Sequence, residues 1–237
     1  MEEYSEGGSR VYRHTEAREG EPPGPEIHPA YDAVTAHVET HVGPIDGVFH
    51  EHRSEHVHLD VLMVAASEAR PFHTLVTCGM SAKPMAAPDG DRFAELLICL
   101  PREWPLDDRS WQDERHYWPV RLLKDLARLP HAYATFLATG HTIPNGDPPE
   151  PYAPGTKLCC ALIAPPLTVP DAFDELATAH GTIRFFGVTI MHREEMQLKL
   201  DRGLEALLEP FQREEIGELV VPDRPSTVQR RKRFGLF

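Results

Sequence analysis

The chain has 237 residues, 41% of them hydrophobic and 26% charged, so it can bury a sizeable core and has the polarity of an ordinary soluble domain. Its 37 Asp and Glu against 24 Lys and Arg leave a net charge of -13, which repels nucleic acid and anionic lipid. No apolar run approaches the ~20 residues that span a bilayer, and the acidic N-terminus lacks a secretory signal. We therefore expect a cytoplasmic protein that binds neither nucleic acid nor membrane.

Both ends of the chain are predicted to be tails. Residues 1–26 are rich in Glu, Gly, Arg and Pro, and they have too little apolar surface to offset the entropy of ordering, which predicts a disordered acidic and Pro-rich tail. Residues 222–237 carry a basic run at 230–233 and are predicted to form a second, basic tail. Between the two we expect one domain, residues 27–221.

The apolar pattern of the first half of this domain predicts a helix followed by strands. The helix begins near Pro29 and stops at Gly43-Pro44. Runs rich in Val, Leu, Ile and Thr then predict four consecutive strands, at 45–49, 56–65, 72–80 and 93–100. The joints between them are short, which favours antiparallel neighbours, and we expect the Asp60 and Gly79 segments to lie side by side.

In the second half of the domain, apolar residues first recur at the longer spacing that is typical of helices. A helix is predicted to open at Trp118-Pro119 and to be interrupted at Pro130, with a second helical piece over 132–138. A Pro- and Gly-rich loop at 140–154 precedes strands at 157–164 and 182–190, and two helices follow, separated by Gly203. These elements predict an α+β fold, with a mixed, mostly antiparallel sheet covered by helices.

Histidines are concentrated just before the second predicted strand. His50, His52, His56 and His58 are followed by Asp60. Residues two apart on a strand share a face, so His56, His58 and Asp60 are expected to project together. This set suits zinc or non-haem iron, so a metal-binding enzyme or sensor using the 50–60 cluster is one hypothesis. The alternative is a half-exposed strand face without a cofactor, where His and Asp hydrogen-bond to one another and to water.

The motifs of common enzymes do not occur. The sequence has no nucleophile elbow, P-loop or dinucleotide fingerprint, so it predicts no enzyme. The four cysteines, Cys78, Cys99, Cys159 and Cys160, lie in apolar strand-like segments and are predicted to be buried free thiols. Cys159 and Cys160 would point to opposite faces of a strand and are not expected to bridge.

Three tryptophans, Trp104, Trp111 and Trp118, fall in a loop-rich segment. Tryptophan in such loops can anchor a partner's side chain or peptide. Large rings also commonly cover the edge of a core beneath a loop. Both interpretations stay open for these three residues.

Several segments, taken in order, resemble the suppressor-of-fused domain in its bacterial form. They are His58-Leu59-Asp60-Val61, the run from Thr74 to Ser81, the run from Glu95 to Pro101 with Trp104, and Trp118-Pro119, supported by 140–143, 185–190 and Glu195. The resemblance covers residues 28–221 and implies a mixed sheet with helices and no catalytic activity. Within it, we expect a structural role for the family motif residues Thr77, Gly79, Met80, Ser81, Pro101 and Glu195.

The resemblance also implies a role in protein binding. Animal relatives bind GLI-type transcription factors and clamp a short peptide by strand addition, while bacterial members are similar to immunity proteins encoded beside polymorphic toxins. We expect a non-catalytic immunity protein that neutralises a toxin, or alternatively a regulatory adaptor without a toxin partner. The partner would bind at an exposed sheet edge or at the face of His56, His58 and Asp60, anchored by Trp104, Trp111 and Trp118.

Overall fold

The structure, a computed structural model, describes residues 3–20, 28–51, 56–88 and 90–228. Its strands are β1 (Glu3–Tyr4), β2 (Arg10–Val11), β3 (Gly47–His50), β4 (Asp60–Val64), β5 (Phe72–Cys78), β6 (Phe93–Pro101), β7 (Thr142–Pro144), β8 (Cys160–Ala164), β9 (Glu175–Thr178) and β10 (Gly181–Met191). The main sheet has the order β3-β4-β5-β6-β10-β8-β7, with β9 also pairing β10. Only β6 and β10 pair in parallel in the described sheet, so the predicted mixed, mostly antiparallel α+β fold is confirmed.

Helices cover both faces of this sheet. They are α1 (Tyr31–His41), α2 (Glu114–Tyr133), α3 (Arg193–Arg202) and α4 (Leu204–Arg213). Successive side chains of a strand alternate between faces, so Leu96 and Ile98 of β6 pack in the cluster that α2 covers, while Leu97 packs in the cluster that α1 covers. A third cluster joins α4 to β8. None of the helices in the described part of the chain has the length and apolarity that a bilayer crossing requires.

The helix predicted to begin at Trp118 and to break at Pro130 is one continuous helix, α2. It begins earlier because the Asp113 side chain accepts a hydrogen bond from the Arg115 N–H and caps it. Pro130 falls in the last turn, so it removes one hydrogen bond near the end of the helix and does not break the helix in its middle. Ala134, in the left-handed conformation, then ends the helix, so the helical piece predicted over 132–138 is not found.

The strand predicted at 56–65 is shorter, because His56 has a φ of 68° and lies in a bend. β4 therefore begins at Asp60, which pairs with Cys78 of β5, next to Gly79, as expected for neighbouring strands. The predicted loop at 140–154 contains the edge strand β7, and β9 was not predicted at all.

Described segments near both ends of the chain make specific contacts with the domain. Within residues 3–20, predicted as part of a disordered tail, Glu3–Tyr4 and Arg10–Val11 form the hairpin β1–β2, and the Gly7 N–H between these strands donates to the Leu200 carbonyl of α3. Near the other end, Glu218 and Val220 exchange backbone hydrogen bonds with Cys99 of β6. Residues 218–220 therefore lie beside β6 at the point where its pairing with β10 has ended, after Gly187. Residues 1–2, 21–27 and 229–237, with the basic run, lie outside the described residues.

Candidate functional site

The carboxylate of Glu95 on β6 is fully buried and is bound by the turn that follows β5. Its Oε1 accepts hydrogen bonds from the Gly79 N–H (2.9 Å), the Ser81 N–H (3.0 Å) and the Ser81 hydroxyl (2.6 Å). Its Oε2 accepts one from the Thr77 hydroxyl at 2.6 Å. A buried carboxylate requires such donors because it has lost its hydration. One side chain therefore fixes the turn to the centre of the sheet.

Gly79 is required by the geometry of this turn. Its φ is 136°, and a Cβ there would lie 2.1 Å from the His58 carbonyl oxygen. The next residue, Met80, is fully buried, and its carbonyl accepts a hydrogen bond from His131 Nε2. These inward-facing contacts favour the structural role expected of Thr77, Gly79, Met80 and Ser81.

Glu95 was missed as a site residue. Its sequence signal is a single carboxylate inside the apolar run 93–100, at a position that the structure buries on both faces of the sheet. An acidic residue in such a central strand needs a compensating set of donors. That signal could have identified the residue, although not the turn that binds it.

His28 extends this network toward the surface. Its Nδ1 accepts the Ala30 N–H at 2.8 Å, so in the neutral ring Nε2 carries the proton and donates to Ser81 Oγ at 3.0 Å. Burial lowers the pKa of His28, against the opposing influence of the Glu95 charge, and favours this neutral ring. Since Nε2 donates and the Ser81 proton is given to Glu95, His28 does not act as a base toward Ser81.

Both His28 and Ser81 line a pocket of about 240 Å³, together with Pro84, Phe93 and His180. The Ser81 oxygen is already engaged by two hydrogen bonds inside the protein. The arrangement positions the segment before α1 against the turn, and it does not supply the activated nucleophile of a hydrolase.

Glu195, the last residue of the predicted family motif, is also fully buried. At the start of α3 it accepts the His192 N–H at 2.7 Å and pairs with Arg224 at 2.6 Å, and the Thr227 N–H donates to it at 2.9 Å. Burial alone would raise the pKa of Glu195, but the Arg224 hydrogen bonds and charge outweigh burial and lower it. Arg224, placed by prediction in the C-terminal tail, thus binds the domain. Pro101 ends β6, where its carbonyl accepts the Trp104 N–H.

The histidine cluster is assembled differently from its prediction. His50 pairs with Asp60 across β3 and β4, and its Nδ1 lies 3.2 Å from Asp60 Oδ1, while His58 Nε2 lies 3.5 Å from the same atom. His56 instead lies in its bend beside Gly20. The predicted trio of His56, His58 and Asp60 therefore does not share a strand face, because His56 and His58 precede β4.

The metal hypothesis receives no support from this geometry. Within residues 3–20, 28–51, 56–88 and 90–228, no three His, Cys, Asp or Glu side chains are arranged to hold a metal ion. His52, the fourth histidine of the cluster, lies outside the described residues. The carboxylate of Asp60 is buried, whereas the His50 and His58 side chains are about half exposed beside it.

The three tryptophans occupy three different environments. Trp118 is 1% exposed and stacks on Tyr152, so it belongs to the core and offers no surface to a partner. Trp104 is half-buried, donates through Nε1 to the His116 carbonyl at 3.0 Å, and lines a groove of about 320 Å³. Trp111 is half-buried against Phe49 of β3, with ring centroids 5.3 Å apart.

β3 is an end strand of the sheet in the described part of the chain, and recognition groups flank both of its faces. On one face the Phe49 ring contacts Trp111 and Tyr117, and the Lys124 ammonium lies 4.8 Å from the Phe49 centroid. On the other face lies the cluster of His50, Asp60 and His58. Glu51, next along the chain, is buried and ion-paired with Lys124 and Arg128. We call this strand and its flanking groups the β3 edge.

Comparison with known proteins agrees with this architecture. A crystal structure of a SUFU (suppressor of fused protein) homolog from Neisseria gonorrhoeae matches with a TM-score of 0.63 at 19% identity, over 84% of this chain and 97% of that one. The structure of a Sufu–Fu complex matches with a TM-score of 0.59 at 14% identity, over 85% of this chain and 93% of that one. These likenesses show the fold. No curated protein matches the chain in sequence.

The family itself is shown by sequence. The family model described as suppressor of fused protein (SUFU) matches residues 55–225, which confirms the resemblance inferred from the segments around Asp60, Gly79 and Trp118. The chain therefore belongs to the suppressor of fused protein family.

Proposed function

We propose that this protein is a protein-binding domain without catalytic activity, and that it binds an extended segment of its partner at the β3 edge. The family supports binding, since one related structure is a complex of Sufu with Fu. The observation that carries the proposal is that β3 ends the described sheet with recognition groups on both faces. A strand added to such an edge gains backbone hydrogen bonds, and its alternating side chains reach both faces.

The two faces would recognise different side chains of that segment. Side chains on one face would meet the aromatic rings of Trp111 and Tyr117, which are the residue types that dominate binding energy at interfaces. Side chains on the other would meet the half-exposed imidazoles of His50 and His58, which lie beside the buried Asp60 carboxylate. An alternation of apolar and hydrogen-bonding residues in the partner strand fits both faces.

The partner that we propose is a basic toxin, so that the protein acts as its immunity partner. The net charge of -13 would speed association with a basic protein. The test is to co-express the protein with the C-terminal domain of the toxin encoded beside its gene, and to measure growth. Restored growth with a stable complex supports the proposal. A neighbourhood without a toxin gene, or growth that stays arrested, leaves the role of a regulatory adaptor.

The β3 edge is tested by a matched pair of substitutions. Trp111→Ala removes the ring beside Phe49, whereas Trp104→Ala removes a half-buried ring that lies in a separate groove. With the partner from the growth assay, calorimetry should show that Trp111→Ala weakens binding about 30-fold or more, as expected for an interface anchor. Trp104→Ala should weaken binding less than Trp111→Ala does. Equal effects of the two changes would exclude the β3 edge as the binding site.

A further inference from the structure

The thiols of Cys159 and Cys160 lie side by side, with their Sγ atoms 3.8 Å apart. The sequence predicts that they point to opposite faces of a strand. They do not, because β8 begins only at Cys160, and Cys159 lies before the strand where alternation no longer holds. Both instead pack in the cluster that contains Leu207 and Phe211 of α4. This dithiol lies outside the β3 edge.

The two thiols are not equivalent. A hydrogen bond joins the two sulfurs, and either atom can donate it. With Cys160 as the donor, this bond lowers the pKa of Cys159 despite burial and raises that of Cys160, and the backbone N–H of Arg193, the first residue of α3, lowers the pKa of Cys159 further. A helix N-terminus and a neighbouring thiol are the groups that stabilise reactive thiolates. Both thiols are buried, Cys159 at 3% exposure and Cys160 at none, so access for an oxidant is greater at Cys159.

The other two cysteines provide a contrast. Burial raises the pKa of Cys99 to about 11, and it also raises that of Cys78, so neither forms a thiolate readily. Both pack in the cluster beneath α1, away from α4.

We infer that Cys159 and Cys160 form a redox-sensitive dithiol that hydroperoxides convert reversibly into a disulfide. The Cys159 thiolate attacks the outer oxygen of the peroxide, the O–O bond breaks, and the leaving oxygen takes up a proton to give water or an alcohol. Cys159 is then a sulfenic acid. The Cys160 sulfur attacks the Cys159 sulfur, the S–O bond breaks, and the hydroxide leaves as water with the Cys160 proton. The dithiol loses two electrons in total, and the peroxide gains them.

The product would be strained and therefore labile. The Cα atoms of consecutive residues are about 3.8 Å apart, which is below the range of about 4.4–6.8 Å usual for disulfides. Strained disulfides are reduced easily, which suits a reversible response better than a permanent cross-link. Drawing the two sulfurs together would also disturb the cluster that packs α4 against β8.

The test treats the reduced full-length chain with equimolar hydrogen peroxide, blocks the remaining thiols with N-ethylmaleimide, and measures intact and peptide masses. We expect the mass of two hydrogens to be lost, alkylation to fall from four cysteines to two, and the cross-link to map to the peptide that contains residues 159 and 160. Dithiothreitol should restore all four sites. Four alkylated thiols after peroxide, or a stable sulfinic acid at Cys159 without a disulfide, would overturn the inference.

Matched variants locate the reaction. Cys159→Ser and Cys160→Ser should each abolish the loss of two hydrogens, while Cys78→Ser and Cys99→Ser should retain it. Peptide mapping of the wild-type chain decides the site even where a serine variant fails to fold. A disulfide that maps to Cys78 or Cys99 would contradict the assignment.

Discussion

The hydroxyl of Ser81 donates a 2.6 Å hydrogen bond to the fully buried carboxylate of Glu95. Four donors from three residues converge on this carboxylate, and they join the turn after β5 to the central strand β6. Because the carboxylate is fully buried and without solvent, its removal leaves all of these donors unsatisfied at once. Loss of the Ser81 hydroxyl leaves the other three in place.

We therefore expect Glu95→Ala to lower the free energy of unfolding by about 3–5 kcal/mol, and Ser81→Ala by about 1–2 kcal/mol. Urea denaturation followed by circular dichroism measures both. The exposed Glu209→Gln is the control and should change stability by less than about 0.5 kcal/mol. A larger loss for Ser81→Ala than for Glu95→Ala would show that Glu95 does not organise the turn.

Gly79→Ala should be severely destabilising, because the added Cβ would meet the His58 carbonyl oxygen at 2.1 Å and the β4–β5 connection would have to move. Gly90→Ala is a matched control, since Gly90 also has a positive φ of 82° but an added Cβ there meets nothing within 4 Å. We expect a loss of about 1 kcal/mol for the control and several times that for Gly79→Ala. Thermal unfolding of the two variants makes the comparison, and equal losses would refute the steric argument.

The class of the fold follows from the local pattern of the sequence. Runs of β-branched and apolar residues define β5, β6, β8 and β10, and short joints indicate antiparallel pairing. The parallel pairing of β6 with β10 joins segments far apart in the chain, and it depends on tertiary packing that no local pattern encodes.

The sites were less predictable because they depend on single backbone angles and on packing. A positive φ at His56 removes it from the strand, and the pairing of β3 with β4 puts His50 beside Asp60 instead. Trp118 and Trp111 have similar sequence surroundings, but one lies on the buried side of α2 and the other beside β3. Glu95 was overlooked because the donors that bind it come from another strand and its turn.

The ion pair of Glu195 with Arg224 predicts a loss of stability in acid. The pKa of Glu195 is lowered in the folded state from its ordinary value of 4.5, so its contribution is complete above pH 4.5 and is lost as the pH falls through the folded value. Arg224→Gln should lower the free energy of unfolding at pH 7 by about 3–5 kcal/mol, because the buried carboxylate loses its cation. The same substitution should also make the free energy of unfolding depend less on pH below pH 4.5. Urea unfolding across pH measures both effects.

The control for this pair is Arg213→Gln, since the Arg213 side chain is mostly exposed. It should leave stability nearly unchanged. An Arg224→Gln protein as stable as the wild type at pH 7 would mean that the segment from 222 to 228 does not depend on Glu195.

One buried and three half-buried histidines predict a second loss of stability, at higher pH. Burial lowers the pKa of His28, His37, His131 and His141 from the ordinary value of 6.5. The unfolded chain therefore binds protons first, and the free energy of unfolding should fall as the pH drops below about 6.5, until the folded pKa values are reached. Urea denaturation at intervals between about pH 7.5 and about pH 5 measures this slope, because this range brackets the ordinary histidine pKa of about 6.5.

His37→Gln separates one of these contributions. The His37 ring donates from Nε2 to the Phe173 carbonyl and stacks on Phe173 and Phe185. Glutamine keeps an N–H donor at this position but cannot be protonated, so the slope of stability against pH should become shallower while the fold is retained. The control is His14→Gln, which makes the same substitution at an exposed histidine. An identical reduction in both variants would show that burial of His37 does not cause the acid sensitivity.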